Sequence, residues 1–521
     1  MNSERSVLSL TLPDRKTQCS RPSKEQNGTL ADWLAEQGFA LNTRCGGKGV
    51  CRGCSIKLDD QTVRSCQIRA SEISDGKSEI SIPQRSLHNE KLDGVSIFEI
   101  GRKNLRYNRH PGVGLSLDIG TTTVAGALWD LSSGKCLATA TRSNAQRRHG
   151  DNVLARIDFA IQRSAGVKTL QATLINGSLN PLVDDLLRSA DLPPDAISEG
   201  IASGNTVMLH TLIGAPLNGF SAFPFRASFL EGKLVVSKEI GLHSDFPLKL
   251  VPSFGAFVGG DILAGALASG ITEETGPSLL IDFGTNGEIL LKSDDKYLTT
   301  ATAAGPAFEG GRLNCGSPAA PGVIGGLSLQ RDEWIIEYIG TSNRKKATGI
   351  SGAAYIDFLG EARASGILSP MGRFNRDHPL VSTMEIDNEE ESVVLISQDL
   401  FISEADIAEL MQAKAAILGG ALTLMEEEGL SSKQLHSIYV AGGFGYHLNP
   451  SHAVAIGLLP EISRDKIHII GNSSLAGASL LLQAELHKES QSLIDKTRVV
   501  ELNQIETFED NYIDAMTLDP A

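Results

Sequence analysis

Several classes of function are excluded by what this 521-residue chain lacks. No apolar run approaches the roughly 18–20 residues of a membrane-spanning helix. No long apolar core follows Met1-Asn2-Ser3-Glu4-Arg5 to make a signal peptide. A cytoplasmic protein with no membrane partner is therefore expected. Basic charge is short as well: 62 Asp and Glu outnumber 47 Lys and Arg, and the net charge of −15 argues against nucleic acid as a partner. There is no Walker phosphate loop (GxxxxGKS or GxxxxGKT) and no protein-kinase signature set. Any nucleotide site must be built from other motifs.

The length suffices for two to four domains with sizeable cores. Charge is unevenly spread. Residues 1–90 carry 13 basic and 11 acidic side chains, a balance of +2, which leaves −17 for the remainder. A near-neutral module precedes an acidic body.

The module, residues 1–92, holds four of the seven cysteines: Cys45, Cys51, Cys54 and Cys66. In a cytosolic chain such clustering points to a metal site rather than to disulfides. Val7 to Leu12 alternates as a strand does, and Thr29 to Gly38 has helical spacing ending at a glycine. The cysteines then follow as C-x5-C-x2-C-x11-C. Glycines between the first three would let the loop wrap an iron–sulfur cluster and donate backbone N–H groups to its sulfurs. Four thiolates also suit a closed zinc site. Zinc ribbons usually show two CxxC pairs, and here there is one. The helix and glycine-rich loop resemble the plant-type [2Fe–2S] ferredoxin, through Arg44-Cys45-Gly46-Gly47 and Ser65-Cys66-Gln67. That resemblance implies an α+β fold of the ferredoxin-like, β-grasp kind. The longer first gap and shorter last gap depart from the ferredoxin spacing. Cys19, Cys136 and Cys315 match no ligand spacing and are expected to be buried structural thiols.

Residues 93–112 are basic, lack apolar periodicity and end in Pro111-Gly112. They are expected to be an exposed tether, with docking onto an acidic surface as the alternative.

The body, residues 113–521, carries the same phrase twice. Leu115 to Gly126 and Leu280 to Leu290 each read as strand, Asp-x-Gly-Thr turn, strand. Two such hairpins, with Asp118 and Asp282 at equivalent places, suggest a duplicated domain with a phosphate between its halves. Gly120, Thr121, Thr122, Gly284, Thr285 and Asn286 would supply backbone and hydroxyl donors to phosphate, and the two aspartates would hold Mg²⁺ or its waters. Asp151 is expected to cap the helix that follows it. Glu199 to His210 reads as strand, turn and helix, with Asn205 where a ligand could sit. His210 is expected to be a satisfied structural histidine. Asp261 heads a small-residue helix and is placed either to orient a water or Mg²⁺ or merely to cap that helix. Gly305 belongs to a glycine-rich loop, Ala303 to Gly311, that must lie close to something. Ile407 to Met425 is expected to be an amphipathic helix containing Lys414. Ser437 to Gly445 reads as an apolar strand ending in Gly442-Gly443, where an adenosine could lie. Asn472 is expected to open the last helix.

Two hairpins in order, an acidic-headed helix and a late strand with Gly-Gly resemble the acetate and sugar kinase, heat-shock chaperone and actin ATPase superfamily. This implies an α/β, duplicated, ribonuclease-H-like body binding ATP and Mg²⁺. Fused behind a ferredoxin-like cluster, the whole resembles the reductive activators of corrinoid proteins. The telling segments are Cys45 to Cys54, Asp118 to Thr123, Gly204 to Met208, Asp282 to Glu288, Gly305 to Gly311 and Ala441 to Gly445. The resemblance implies ATP-dependent transfer of one electron from a [2Fe–2S] cluster to the inactive cobalt(II) of a corrinoid methyl carrier. A low-potential electron donor would feed the cluster, and a homodimer is in keeping with the superfamily. Family members often carry an extra domain between cluster module and ATPase, for which only about 20 linker residues stand here. The competing readings are an activator of another low-potential metalloenzyme, such as a radical dehydratase, a small-molecule kinase with a redox-sensing appendage, and a non-catalytic scaffold.

Overall fold

A computed structural model of the chain describes residues 7–12, 15–39, 41, 43, 49, 54–59, 61–73, 79–83, 86–87, 98–103, 105–340, 347–386 and 389–520. The N-terminal module is a mixed sheet of β1 (Val7–Thr11), β2 (Lys16–Ser20), β3 (Ser55–Leu58), β4 (Gln61–Arg64) and β5 (Glu79–Ser81), with one helix, α1 (Leu30–Glu36). The strand order is β2-β1-β5-β3-β4, antiparallel except for the β1–β5 pair. Thr29 and Asp32 close a capping box at the start of α1, an arrangement worth about 1 kcal/mol. Leu30, Trp33 and Leu34 of α1 pack with Leu8, Leu10, Ile56 and Ile80 of the sheet.

The body has two lobes. The first contains β6 (Val113–Ile119), β7 (Thr123–Asp130), β8 (Lys135–Ser143), α2 (Val153–Gln162), α3 (Gly166–Leu174), α4 (Asn180–Ser189), β9 (Ile197–Gly204), α5 (Thr206–Leu212), β10 (Leu234–Val236), β11 (Pro247–Leu250) and α6 (Gly260–Ser269). The second opens with β12 (Ser278–Phe283), β13 (Gly287–Ser293), β14 (Lys296–Thr302), β15 (Ile324–Gln330), β16 (Glu333–Tyr338), α7 (Gly352–Ala364), β17 (Val381–Ile386), β18 (Glu389–Ser397) and β19 (Leu400–Ser403). It continues through α8 (Glu404–Glu427), β20 (Ser437–Ala441), α9 (Pro450–Ala455), β21 (Ile467–Gly471), α10 (Ser473–Gln483), α11 (His487–Lys496), β22 (Thr497–Val499) and α12 (Thr507–Asp514).

The duplication read from the two hairpins extends to whole sheets. In lobe 1 the order β8-β7-β6-β9-β11 matches β14-β13-β12-β20-β21 in lobe 2. In both, the first three strands run antiparallel and the fourth and fifth pair in parallel. Between the sheets α6 and α10 pack against each other and share one apolar core with both lobes, through Ala125, Ile201, Leu263, Leu280, Leu290 and Leu475. Gly477 permits the crossing, since a Cβ there would lie 2.0 Å from the Ala264 carbonyl oxygen.

Four expectations need correction. Asn152, not Asp151, caps α2, accepting from the Ala155 N–H. Helix α10 is not last, because α11 and α12 follow it. Helix α8 is not amphipathic: β13, β14 and α12 cover it, and even Lys414 is buried, donating to the carbonyls of Gly457 at 3.0 Å and Ala515 at 2.6 Å. By length and composition α8 could cross a membrane, yet it is the core helix of lobe 2.

The fourth concerns the linker, which follows the alternative reading: it docks on the acidic body as a strap, though most of its described residues stay exposed. Its Gly101 and Asn108 N–H groups donate to the carbonyls of Ala268 and Gln483, at the C-terminal ends of α6 and α10. Arg102 pairs with Glu273 and Glu489, and Arg109 donates to the Gln483 side chain at 2.9 Å. Phe98 and Leu105 sink into the apolar cluster below. The physical reason is charge: helix C-termini present unsatisfied carbonyls and partial negative charge, which N–H donors and arginines satisfy.

Candidate nucleotide cleft and cysteine module

Each Asp-x-Gly-Thr turn joins antiparallel strands, Ile119 pairing with Val124 in one and Phe283 with Gly287 in the other. The tips face a cleft of about 1150 Å³, part of it open to solvent. Asp118, Gly120, Thr121, Thr122, Asn205, Asp261, Asp282, Gly284, Thr285, Asn286, Gly442 and Gly443 all line it. Gly305 is not among the lining residues; it opens the turn that puts Phe308 and Glu309 into the wall. Gly442, at φ +94°, lies so close to the second hairpin that a Cβ would stand 2.5 Å from the Phe283 carbonyl oxygen.

The carboxylates dominate the electrostatics. Burial pushes Asp282 up to about 8, with Asp261, Asp118 and Glu309 adding repulsion. Burial also raises Asp261 and Asp118, and it raises Glu288 well above the usual range. Asp118, Asp261 and Asp282 still open part of their surface to the cleft, so water there offsets some of this cost. Asp118 is held by two donors, Asn472 Nδ2 at 2.9 Å and Ser474 Oγ at 2.8 Å. Asp261 sits in the first turn of α6, capped by Gly259, and its Oδ1 accepts from the Ile262 N–H at 2.9 Å. It is not the cap itself.

Among the described residues no three acidic, His or Cys side chains converge as a metal site on their own. Mg²⁺ keeps waters and binds through one or two carboxylates plus phosphates, so it does not require three converging side chains. The donor set fits: hard carboxylate oxygens, raised chiefly by burial, and hydroxyls from both tips.

The motifs left out three contributors. Glu288 lies directly across the ladder from Asp282, a pairing recoverable from strand register. Glu309 reaches both tips, Thr122 at 2.8 Å and Thr285 at 2.9 Å. Arg156, fully buried, braces the first tip: it donates to the carbonyls of Thr121 and Gly150 and to Gln146. Its burial, reinforced by Arg147, lowers it to about 9. His210 is structural as expected, stacked on Phe229 with both ring nitrogens engaged.

In the module, Cys54 and Cys66 are both buried, and Gln67 Nε2 stands 3.5 Å from Cys66 Sγ. The Ser65 N–H donates to the Cys54 carbonyl, which sets the two cysteines on adjoining segments. Cys45 and Cys51 lie outside the described residues. The two thiols described, with an amide aimed at one sulfur, fit a thiolate-held cluster. Cys315 is buried as expected, whereas Cys19 and Cys136 are only partly so.

The family model described as "RACo middle region" matches residues 113–274, and "C-terminal domain of RACo the ASKHA domain" matches 276–521. The chain belongs to the family of reductive activators of corrinoid proteins. The residues matched to the middle region are those of lobe 1. A solved structure named "Reductive activator for corrinoid,iron-sulfur protein" superposes at TM-score 0.72 with 25% identity, covering 98% of each chain. Among curated relatives, "Corrinoid activation enzyme RamQ" of Eubacterium limosum is 28% identical over 88% of this chain and 90% of its own length. "[Co(II) methylated amine-specific corrinoid protein] reductase" of Methanosarcina barkeri is 23% identical over 71% and 69%.

Proposed function

We propose that this protein is a cytoplasmic, ATP-dependent reductive activator that returns the cobalt of a corrinoid methyl carrier from inactive Co(II) to Co(I). One electron from a low-potential donor is delivered to cobalt, while ATP is hydrolysed to ADP and phosphate. The observation that carries this reading is the strap. It ties a cysteine module to the ends of both helices that cross between the lobes, so lobe closure around a nucleotide can reposition the module.

Cys45, Cys51, Cys54 and Cys66 would hold a [2Fe–2S] cluster in a ferredoxin-like module. Such a cluster supplies one electron at a time, at about −400 mV in plant-type examples. In the cleft, Thr121, Thr122, Gly284 and Thr285 bind phosphate, Asp118 and Asp282 hold Mg²⁺ or its waters, and Asp261 orients the attacking water. Phe308, Phe444 and the Gly442-Gly443 pair flank the adenosine. The relatives' printed names, a corrinoid activation enzyme and a Co(II) corrinoid protein reductase, support the partner and the direction of electron flow.

The test is anaerobic purification with iron, sulfide and zinc quantified and EPR spectra recorded. About two irons and two sulfides per chain, with a signal appearing on one-electron reduction, are expected. About one zinc per chain, in protein that stays colourless after reconstitution with iron and sulfide, would overturn the redox reading.

A further inference from the structure

Glu309 joins the two phosphate hairpins to each other. Its Oε2 lies 2.8 Å from Thr122 Oγ1 and 2.9 Å from Thr285 Oγ1, and the two hydroxyl oxygens are 2.7 Å apart. Three short contacts meet here, but two threonine hydroxyls carry only two protons. One contact always lacks a hydrogen, so the triangle is a weak tie. The carboxylate also offers these hydroxyls what a phosphate oxygen offers them, an anionic acceptor. Carboxylate and phosphate cannot both occupy the same pair of donors.

Glu309 has somewhere else to go. It also lines a second, smaller cavity, bounded by Thr122, Arg147, Asp151, Pro306 and Arg312, which none of the cleft aspartates lines. The ion pairs of its two arginines are long: Arg147 Nε to Asp151 at 4.0 Å and Arg312 Nη1 to Glu409 at 3.7 Å. Neither is a close, hydrogen-bonded pair, so a second carboxylate can approach these cations. The neighbouring Phe308 is anchored, with ring centroids 5.6 Å from Phe283 and 5.1 Å from Phe444. The Glu309 side chain thus borders both cavities, beside an anchored Phe308.

We propose that Glu309 is a phosphate-responsive positioning residue. Its carboxylate ties Thr122 to Thr285, yields both hydroxyls to a nucleotide phosphate, and moves to the Arg147–Arg312 cavity. The proposal rests on the nucleotide reading above and names how that site senses occupancy.

The experiment is a double-mutant cycle on the full chain, with ADP and ATP affinity measured by calorimetry for wild type, Glu309→Gln, Arg312→Ala and the double variant. Glu309→Gln keeps the shape and removes the competing charge, and binding tightens about tenfold. Arg312→Ala, at an exposed position, weakens wild-type binding about threefold by removing the counter-charge. In the Glu309→Gln background Arg312→Ala has no effect. Glu309→Gln binding no tighter than wild type, or Arg312→Ala acting equally in both backgrounds, overturns the proposal. Failure of the wild type itself to bind either nucleotide is a different result, and it overturns the nucleotide reading on which the proposal stands.

Discussion

Asp118 and Asp282 occupy the same place in two copies of one hairpin, but their surroundings differ. Asn472 and Ser474 donate to Asp118, and Ser474 is itself joined to Ser203. Among the described residues no comparable pair of side chains answers Asp282, and burial, with three acidic neighbours adding repulsion, pushes it up to about 8. The first hairpin is held in place by protein donors. The carboxylate of the second has no such side-chain donors among the described residues, which is why the proposed Mg²⁺ is assigned to it. Duplication supplied the geometry twice, and the residues packed behind each tip divided the labour.

The largest effect that would break this comparison is on turnover. Asp282→Asn removes the carboxylate with the greatest need for Mg²⁺, and ATP hydrolysis should fall about 10²–10³-fold. The visible spectrum of the cysteine module should not change. If hydrolysis survives, Asp282 is not where the metal sits.

The next effects are on stability. Without nucleotide, Asp282→Asn should raise stability at pH 8 by about 1–2 kcal/mol, a figure discounted for water in the cleft. Ser474→Ala should lower it by about 1–2 kcal/mol, because Asp118 loses a donor to its charge. Thermal melts of the two variants should therefore move in opposite directions.

Acidity sharpens the contrast further. Carboxylates raised in the folded state bind protons that the unfolded chain has released, so their contribution is fully present below about pH 4 and is lost as pH rises toward about 8. Nucleotide-free protein should lose stability between pH 6 and 8 (roughly the upper part of that window). Mg²⁺-ATP should flatten the slope, and Asp282→Asn should make it shallower without ligand. A slope unchanged by both would mean the carboxylates are not the source.

The smallest effect belongs to the strap. Arg102→Ala should cost about 1 kcal/mol and speed proteolysis between residues 98 and 112, because its guanidinium pairs with Glu273 and Glu489 at the crossing helices.

Both hairpins, the strand-to-helix turn at Asn205, the acidic head of α6 and the late Gly-Gly were legible, because each has a local signature of glycine, Thr or Asp at fixed offsets. What the sequence concealed was long-range. Glu309 directly precedes a glycine pair and gives no sign of touching tips 187 and 24 positions away. Arg156 belongs to no motif, and it is a buried brace. The strap looked solvated because its residues are charged, and helix ends that attract such charges cannot be seen from the segment itself. Helix α8 misled in the opposite way: its charged residues suggested a wet face, and burial on nearly every side accommodates Lys414 through two carbonyls.

The central claim is that nucleotide chemistry in the cleft drives electron delivery from the cysteine module. The most direct measurement mixes the reduced protein anaerobically with a Co(II) corrinoid protein and follows Co(I) absorption, with and without ATP, beside Cys51→Ala and Asp282→Asn. Co(I) is expected only with ATP and wild-type protein, with phosphate released and no phosphorylated metabolite formed. Co(I) appearing equally without ATP, or with Cys51→Ala, would contradict that claim.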